Sequence, residues 1–269
     1  MPLRLGPSFR ERLAAAGRAQ VGMWVCSGSS LIAEIAAGSG VDWLLIDMEH
    51  SANSLETVQL QLQAAAAYPV SPLVRVPWND AVTIKQVLDL GAQDLIIPMV
   101  SSAAEAEAAV AATRYPPAGV RGVGSALSRS ARWNRVDRYL QEATGHISLT
   151  VQIETAAGVE NAAGIAAVDG VDAVFVGPSD LAASLGHLGQ QGHPEVVDAV
   201  NRTFAAVKAA GTAVGVNAFD PAGADAYIAA GADFVAVGAD VAMLARASEA
   251  LATRFGAGAG ADAGNRPSY

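Results

Sequence analysis

Acidic, basic and amide side chains gather where short apolar runs of this sequence end. They are Asp47, Glu49 and His50 after one run, Arg75 in a second, Gln152 and Glu154 in a third, and the turn Gly177-Pro178-Ser179-Asp180 after a fourth. Each run has the length and composition of a buried strand. The carboxyl ends of parallel strands meet at one edge or one mouth, where ligands bind. The sequence therefore predicts a site built from several strand ends.

Two of these carboxylates are suited to a divalent cation. Glu154 and Asp180 follow neighbouring apolar runs. Mg²⁺ or Mn²⁺ takes one or two protein carboxylates and keeps positions for water and substrate. The alternative is that these acids cap helices, because Asp180 follows a serine and precedes an apolar run. We favour the metal, since both acids close apolar strands.

His50, Arg75 and the turn Gly177–Asp180 each have a chemical and a structural interpretation. His50 can act as a general base near neutral pH, although a lone histidine can also be a packed or surface residue. Arg75 ends an apolar strand and needs an anionic partner, of which an oxyanion formed during a reaction is one candidate. The turn has backbone N–H groups that suit a carboxylate or phosphate, unless Ser179 or Asp180 simply caps the following helix.

The scarcity of lysine restricts the carbanion chemistry that is open to such a site. The only lysines, Lys85 and Lys208, fall within predicted helices. An aldolase that works through a Schiff base needs a lysine at a strand end inside the pocket. Carbanion chemistry here would therefore need a metal to stabilise the enolate.

Eight apolar runs alternate with alanine-rich helical segments, which predicts a (β/α)8 TIM barrel of the α/β class. A doubly wound open sheet is the alternative, but it usually has fewer strands. The predicted strands are Val21–Val25, Trp43–Asp47, Leu73–Val76, Leu95–Val100, Leu149–Glu154, Ala173–Gly177, Ala213–Asn217 and Phe234–Gly238. Predicted helices include Ser54–Ala67, Val82–Leu90, Ala103–Arg114, Pro194–Ala210 and Pro221–Ala230.

Glycine and proline mark where the helices stop and where the chain is irregular. Several helical segments end in glycine, as at Gly91, Gly211 and Gly231, which is typical of a helix C-terminus. Residues 114–144 are rich in glycine, proline and arginine and predict a long loop followed by a helix. We expect one barrel domain over residues 1–256 and a flexible tail over 257–269.

Composition excludes several classes of protein. The chain of 269 residues is 52% hydrophobic and carries a net charge of −9, which argues against a nucleic-acid or anionic-membrane partner. A single cysteine, Cys26, rules out a disulfide within the chain. We see no signal peptide or membrane span and expect a cytoplasmic protein. The triplet Gly122-Val123-Gly124 lacks the context of a dinucleotide site, so no nucleotide cofactor is expected.

Seven motifs, in order along nearly the whole chain from Val21 to Phe255, resemble those of the HpcH/HpaI aldolases, a family of metal-dependent pyruvate aldolases. They are DWLLIDMEHSAN (42–53), VRVPWND (74–80), IKQVLDLGAQ (84–93), ATRYPPAGVRGVGSALSRSARWNR (112–135), LTVQIET (149–155), VFVGPSDLAASLG (174–186) and FVAVGAD (234–240). The resemblance implies a barrel of the phosphoenolpyruvate/pyruvate type and reversible cleavage of a 4-hydroxy-2-oxo acid to pyruvate and an aldehyde.

The resemblance also assigns the metal and substrate groups. Glu154 and Asp180 would hold a divalent cation, either Mg²⁺, Mn²⁺ or Co²⁺. Gln152, Ser179 and Asp180 would contact the pyruvate moiety, whose carboxylate would lie on backbone N–H groups of the turn from Gly177 to Ser179. Trp24 would line the pocket. The partners implied are a small 2-oxo acid and an aldehyde.

The same resemblance implies how the reacting groups are supported. His50 would be the catalytic base, and Arg75 would stabilise the enolate and the transition state. Asp89 would raise the basicity of His50 from a neighbouring subunit. Independently of the resemblance, we expect Asp47 and Glu49 to support the site, because they lie beside His50 in the sequence. The family packs as a homohexamer, a trimer of dimers, with the last barrel helix swapped between partners.

Two residues depart from the family pattern and leave the aldehyde partner open. Met48 stands beside His50 where glycine is usual, and Ser179 stands beside the carboxylate site where alanine is common. A citrate-lyase-like enzyme acting on CoA thioesters, or a 2-oxo-acid decarboxylase, would use the same enolate chemistry. A non-catalytic barrel that binds a metal or a small acid is an alternative of another class.

Overall fold

A closed barrel of eight parallel strands forms the centre of the computed structural model, which describes residues 3–256. Neighbouring strands pair in chain order, and β1 closes the barrel on β8. This confirms the predicted TIM barrel and excludes the open sheet. The strands are β1 (Gln20–Val25), β2 (Trp43–Asp47), β3 (Ser71–Arg75), β4 (Asp94–Ile97), β5 (Ser148–Ile153), β6 (Ala173–Val176), β7 (Ala213–Asn217) and β8 (Phe234–Ala239).

Twelve helices are found within residues 3–256, and most of them surround the barrel. They are α1 (Phe9–Ala15), α2 (Ser30–Ala37), α3 (Leu55–Ala65), α4 (Ala81–Asp89), α5 (Ala103–Thr113), α6 (Tyr139–His146), α7 (Ala156–Glu160), α8 (Ala162–Ala166), α9 (Pro178–Ser184), α10 (Pro194–Ala209), α11 (Pro221–Ala229) and α12 (Asp240–Phe255). The glycines predicted to stop helices, Gly91, Gly211 and Gly231, have φ of 94°, 80° and 101°, the left-handed conformation of a helix C-terminus. The segment 257–269, predicted to be a flexible tail, lies outside the described residues.

Strand β4 is shorter than the sequence predicts. It ends at Ile97 rather than at Val100, because Pro98 has no N–H to continue the ladder and Met99 adopts a φ of 57°. The apolar run continues past the end of the strand, and for this reason composition alone predicts a strand that is too long. None of the helices in the part of the chain that the structure describes is long and apolar enough to cross a bilayer.

Aromatic rings fill the amino-terminal half of the barrel interior. Trp43, Phe175 and Phe234 are fully buried and pack edge to face or stacked, with centroids 5.6 to 6.2 Å apart. The rings of Trp43 and Phe234 occupy the positions that a Cβ would take at Gly22 and at Gly215. This half of the barrel is therefore a packed core, which leaves the carboxyl-terminal mouth for ligands.

Helix α1 closes the bottom of the barrel, opposite the mouth. Its Phe9 ring lies 5.2 Å from that of Phe234, and its backbone N–H donates to Asp94 Oδ1 at 2.7 Å. Asp94 is buried, and burial is the largest effect on its carboxyl group, raising the pKa to about 7. Helix α1, the bottom plug of the barrel, is thus held by a buried hydrogen bond to Asp94 in addition to its ring contact with Phe234.

This raised pKa gives the bottom plug a pH-dependent stability. The folded chain binds a proton at Asp94 that the unfolded chain releases near pH 4, so stability should fall as pH rises from about 4 to 7. Asp94→Asn keeps an acceptor for Phe9 and removes the charge. We expect it to stabilise the protein at pH 8 by up to about 4 kcal/mol and to have little effect at pH 4. Urea unfolding at both pH values measures this.

The exposed Asp225→Asn on α11 is the control and should change stability little at either pH. A variant Asp94→Asn that is less stable than wild type at pH 8 would mean that a positive charge compensates the carboxylate, and Arg12, whose charge lowers the pKa of Asp94, is the candidate.

Candidate active site at the barrel mouth

The carboxyl ends of four strands bring the predicted groups to the barrel mouth. β2 ends at Asp47, whose register partner on β3 is Arg75. β5 carries Gln152 and leads into Glu154, and β6 leads into the turn that begins at Gly177. This gathering at one mouth follows from the parallel topology, as the sequence predicts.

Arg75 is buried among carboxylates and an aromatic ring. Its Nε donates to Asp47 Oδ1 at 2.8 Å, and its Nη1 lies 2.8 Å from Glu49 Oε2. Its Cζ lies over the ring of Trp24, 4.2 Å from the ring centroid. Asp47 and Glu49 therefore provide the anionic partners that the sequence left open. A guanidinium has five N–H donors, so this fixed group can still donate to a further oxyanion.

Asp47 also fixes the backbone that follows β2. Its two carboxylate oxygens accept the N–H groups of Glu49 at 3.0 Å and of His50 at 3.2 Å. The His50 side chain is 65% exposed, and its Nε2 lies 3.9 Å from Glu49 Oε1. The imidazole is therefore open to the mouth, with Glu49 between it and Arg75.

Glu154 is a buried carboxylate in a strongly acidic environment. Its Oε2 accepts from Gln152 Nε2 at 2.6 Å, and its Oε1 accepts from the N–H of Met99 at 2.7 Å. Its pKa is raised to about 7, mainly by burial and also by the negative charges of Glu49 and Asp180, against the opposing effect of the hydrogen bond from Met99. Burial likewise raises the pKa of Glu49. Three carboxylates thus face one another across the mouth.

The carboxylates of Glu49, Glu154 and Asp180 fit a divalent cation for two reasons: they offer oxygen ligands, and their combined negative charge is uncompensated. Oxygen ligands are what Mg²⁺ and Mn²⁺ prefer, and a cation would offset the repulsion among the carboxylates. Gln152 Oε1 is buried and lacks a hydrogen-bond partner among residues 3–256. Buried acceptors of this kind are rare and need a donor, a water or an ion.

The turn after β6 allows Glu154 to lie against the start of α9. A Cβ at Gly177 would lie 2.7 Å from Glu154 Oε2 and 2.8 Å from Gln152 Nε2, so glycine is required by this close approach. Gly177 is itself the N-cap residue of α9, with Pro178 next. The interpretation of Ser179 or Asp180 as an ordinary N-cap is therefore wrong.

The backbone of this turn has fewer free donors than the resemblance implies. The N–H of Gly177 donates to the carbonyl of Ile153 at 3.1 Å, and Pro178 has none. The first-turn N–H groups that precede the helical hydrogen-bond pattern are those of Ser179 and Asp180. The Ser179 hydroxyl accepts from Gln191 Nε2 at 2.7 Å, and Asp180 is exposed.

Asp89 lies apart from the other predicted residues. It ends α4, which runs from the mouth to the bottom of the barrel, and its Oδ1 lies 3.3 Å from Arg121 Nη2 of the same chain. Within one chain, Asp89 and His50 are thus at opposite ends of the barrel.

Sequence reasoning missed four residues around the mouth. Asn217 ends β7 and accepts from Trp24 Nε1 at 2.8 Å, and Asp240 follows β8 and accepts the N–H groups of Cys26 and Ser27. Both stand at strand ends, so the rule that found the other residues could have found them. Met99 acts through its backbone and Gln191 through a loop contact, and neither leaves a signal in the sequence.

Three comparisons identify relatives of the chain. The family model for HpcH/HpaI aldolase/citrate lyase matches residues 20–247. The 4-hydroxy-2-oxo-heptane-1,7-dioate aldolase of Salmonella heidelberg (strain SL476) is 54% identical over 250 residues, which cover 93% of this chain and 95% of that protein.

Solved structures agree with this match. An HpcH/HpaI aldolase/citrate lyase family protein from Burkholderia cenocepacia J2315 is 43% identical with a TM-score of 0.87, covering 91% of this chain and 97% of that one. The structure of citrate synthase SbnG is 30% identical with a TM-score of 0.82, covering 94% of this chain and 99% of that one. The resemblance predicted from the seven motifs is confirmed, and the chain belongs to the HpcH/HpaI aldolase/citrate lyase family.

Proposed function

We propose that the protein is a metal-dependent, class II aldolase that reversibly cleaves a 4-hydroxy-2-oxo acid to pyruvate and an aldehyde. The observation that carries this proposal is the convergence of Glu154, Asp180 and Arg75 at a mouth without lysine. Lys85 and Lys208, the only lysines, lie on α4 and α10 rather than at a strand end. The relative with 54% identity, named as an aldolase for 4-hydroxy-2-oxo-heptane-1,7-dioate, supports that compound as a substrate.

Each group at the mouth has a role in this reaction. Glu154 and Asp180 would hold the cation, which when bound polarises the 2-oxo group as a Lewis acid. Gln152 and the N–H groups of Ser179 and Asp180 bind and orient the pyruvate part. The apolar face of Trp24 excludes water beside Arg75.

Proton and electron movements complete the cleavage. His50 removes the proton of the C4 hydroxyl, the C3–C4 bond breaks, and C4 leaves as the aldehyde. The electron pair of the broken bond passes to the pyruvate enolate, whose oxyanion charge is stabilised by Arg75. Transfer of a proton from His50, through water, to C3 then gives pyruvate and restores the base.

We further propose that the complete site is formed between subunits of a homohexamer. His50 is exposed in the single chain, whereas a base works best with a partner that fixes its tautomer. Helix α12 supports an assembly in which it is covered or swapped, because its apolar side chains are largely exposed. These are Val241 at 45%, Met243 at 59%, Leu244 at 66%, Leu251 at 60% and Phe255 at 72%. Such a surface marks an interaction site.

A shared site makes Asp89 important to His50. We expect Asp89→Asn to lower kcat and to shift the acidic limb of the pH–rate profile, with metal affinity unchanged, because only the basicity of His50 changes. We also expect specific activity to fall when the oligomer is diluted into monomers, as followed by light scattering. Asp137→Asn, which removes an exposed acid on the connection between α5 and α6, is the control. A fully active monomer would mean that Asp89 does not act on His50 of another subunit and that its role is the intrachain contact with Arg121.

A panel assay tests the reaction itself. The enzyme is incubated with pyruvate or hydroxypyruvate and a series of aldehydes, and products are identified by mass. We expect carbon–carbon bond formation that stops with chelator and returns with Mg²⁺, Mn²⁺ or Co²⁺. The relative named citrate synthase makes a second candidate, condensation or cleavage of a citrate-like acid, and that assay is run in parallel. Absence of turnover with every substrate would leave only a binding function.

A further inference from the structure

Two of the four histidines lie together with a glutamate outside the residues assigned to the aldol reaction. His187, His193 and Glu195 occupy the connection between α9 and the first turn of α10. One potential ligand atom from each lies within 4.8 Å of the others. No step proposed above uses them.

The three side chains are held close by direct contacts. His187 Nε2 lies 2.8 Å from Glu195 Oε2, and the two imidazole rings stack with centroids 3.6 Å apart and planes inclined by 18°. The Glu195 carboxylate is 57% exposed, so water and ions reach the cluster from outside. His193 Nδ1 accepts a long hydrogen bond from the backbone N–H of Glu195 at 3.3 Å, so this bond and the stacking on His187 together hold the ring.

The backbone fixes where these residues lie. His193 is the N-cap of α10 and Pro194 begins the helix, which places Glu195 within the first turn. His187 directly follows Gly186, whose φ is 84°, and its backbone N–H donates to the carbonyl of Ala182 at 2.7 Å. The ends of two helices thus present the cluster, rather than a free loop.

We infer that His187, His193 and Glu195 form a second cation site, selective for Zn²⁺ or a similar transition-metal ion. Two imidazole nitrogens and one carboxylate oxygen are a ligand set that zinc accepts, with a fourth position left to water. Ligand chemistry separates this site from the barrel mouth. Glu154 and Asp180 offer only oxygen, which suits Mg²⁺ and Mn²⁺, whereas imidazole favours zinc, nickel and copper.

The position of the site gives it a structural effect on the mouth. The same connection carries Gln191, whose Nε2 donates to the Ser179 hydroxyl at 2.7 Å. Bound zinc joins His187 at one end of this connection to His193 and Glu195 at the other. The ion therefore holds Gln191 against the first turn of α9. This consequence can be measured without turnover, as slower amide exchange in residues 186–193.

Zinc titration of the full-length protein tests the site. Mg²⁺ is kept in excess to occupy the mouth, and zinc uptake is read by competition with a chromophoric chelator. We expect the wild type to bind one zinc ion per chain, and His187→Ala and Glu195→Gln to weaken binding by at least about tenfold. Glu195→Gln keeps the side-chain shape and guards against a folding defect. His146→Ala, which removes a histidine elsewhere, should bind as wild type does.

A further variant assigns the bound zinc to its site. Asp180→Ala removes a proposed ligand at the mouth and should keep the zinc of the second site. Failure of the aldolase proposal would therefore leave this result unchanged. Wild-type affinity in both His187→Ala and Glu195→Gln, or no zinc uptake by wild type under excess Mg²⁺, would overturn the inference.

Discussion

Glu154→Gln and Asp180→Asn are each expected to lower kcat/KM on the order of 10²-fold or more, the scale of several kcal/mol of charge stabilisation by a metal. Each substitution keeps the size of the side chain and removes one of the two carboxylates that would hold the cation. We expect a parallel loss of Mn²⁺ affinity, measured by calorimetry, because the remaining carboxylate binds the ion alone. Steady-state assays at saturating metal separate weak metal binding from loss of chemistry.

Protein stability should respond differently from activity in these variants. Burial raises the pKa of Glu154 to about 7, so the ionised carboxylate destabilises the metal-free fold above that pH. Glu154→Gln should therefore be at least as stable as wild type at pH 8 without metal, by thermal unfolding. Asp198→Asn, an exposed acid on α10, is the control and should keep activity and metal affinity. Wild-type activity in Glu154→Gln after chelation and metal addition would show that Glu154 is not a ligand.

Arg75→Lys should not rescue the function of Arg75, and we expect kcat to fall on the order of 10²-fold or more. The guanidinium reaches Asp47 through Nε and Glu49 through Nη1 while its Cζ lies over the ring of Trp24. An ammonium is a point charge on a flexible chain and cannot make this planar arrangement. The loss should appear mainly in kcat, because the oxyanion charge is absent from the bound substrate and develops in the transition state for cleavage.

A surface arginine controls for the general effect of the exchange. Arg202→Lys on α10 should leave both kcat and KM near wild type, since its ion pairs with Asp198 and Glu160 are exposed. If Arg75→Lys keeps kcat within a few-fold of wild type, Arg75 supplies only bulk charge and the proposed role in enolate stabilisation is wrong.

The barrel and the residues at its mouth were predictable because they depend on local pattern. Apolar runs of strand length alternate with helices, and the parallel topology brings every strand end to one mouth. This pattern was sufficient to predict Glu154 and the turn at Gly177 as residues of the site. The pairing of Arg75 with Asp47 depends on the register of β2 against β3, which no single strand specifies.

Contacts through irregular chain account for most of what the sequence did not reveal. Met99 donates a backbone N–H to Glu154 from a left-handed conformation that its residue type does not suggest. The contact of Gln191 with Ser179 and the approach of His187 to Glu195 depend on the path of the chain after α9. Side-chain distances in such segments follow from tertiary packing, and a one-dimensional pattern does not contain them.

The glycine–aromatic packing at the bottom of the barrel affects how this enzyme can be altered by mutation. Because the rings of Trp43 and Phe234 fill the space beside Gly22 and Gly215, a larger residue at either glycine requires a smaller partner in the same step. Single substitutions at these positions, in evolution or in laboratory libraries, should therefore not be tolerated. The mouth lies at the other end of the strands. Its residues can therefore be exchanged and recombined to accept new aldehydes while the packing at the bottom of the barrel remains constant.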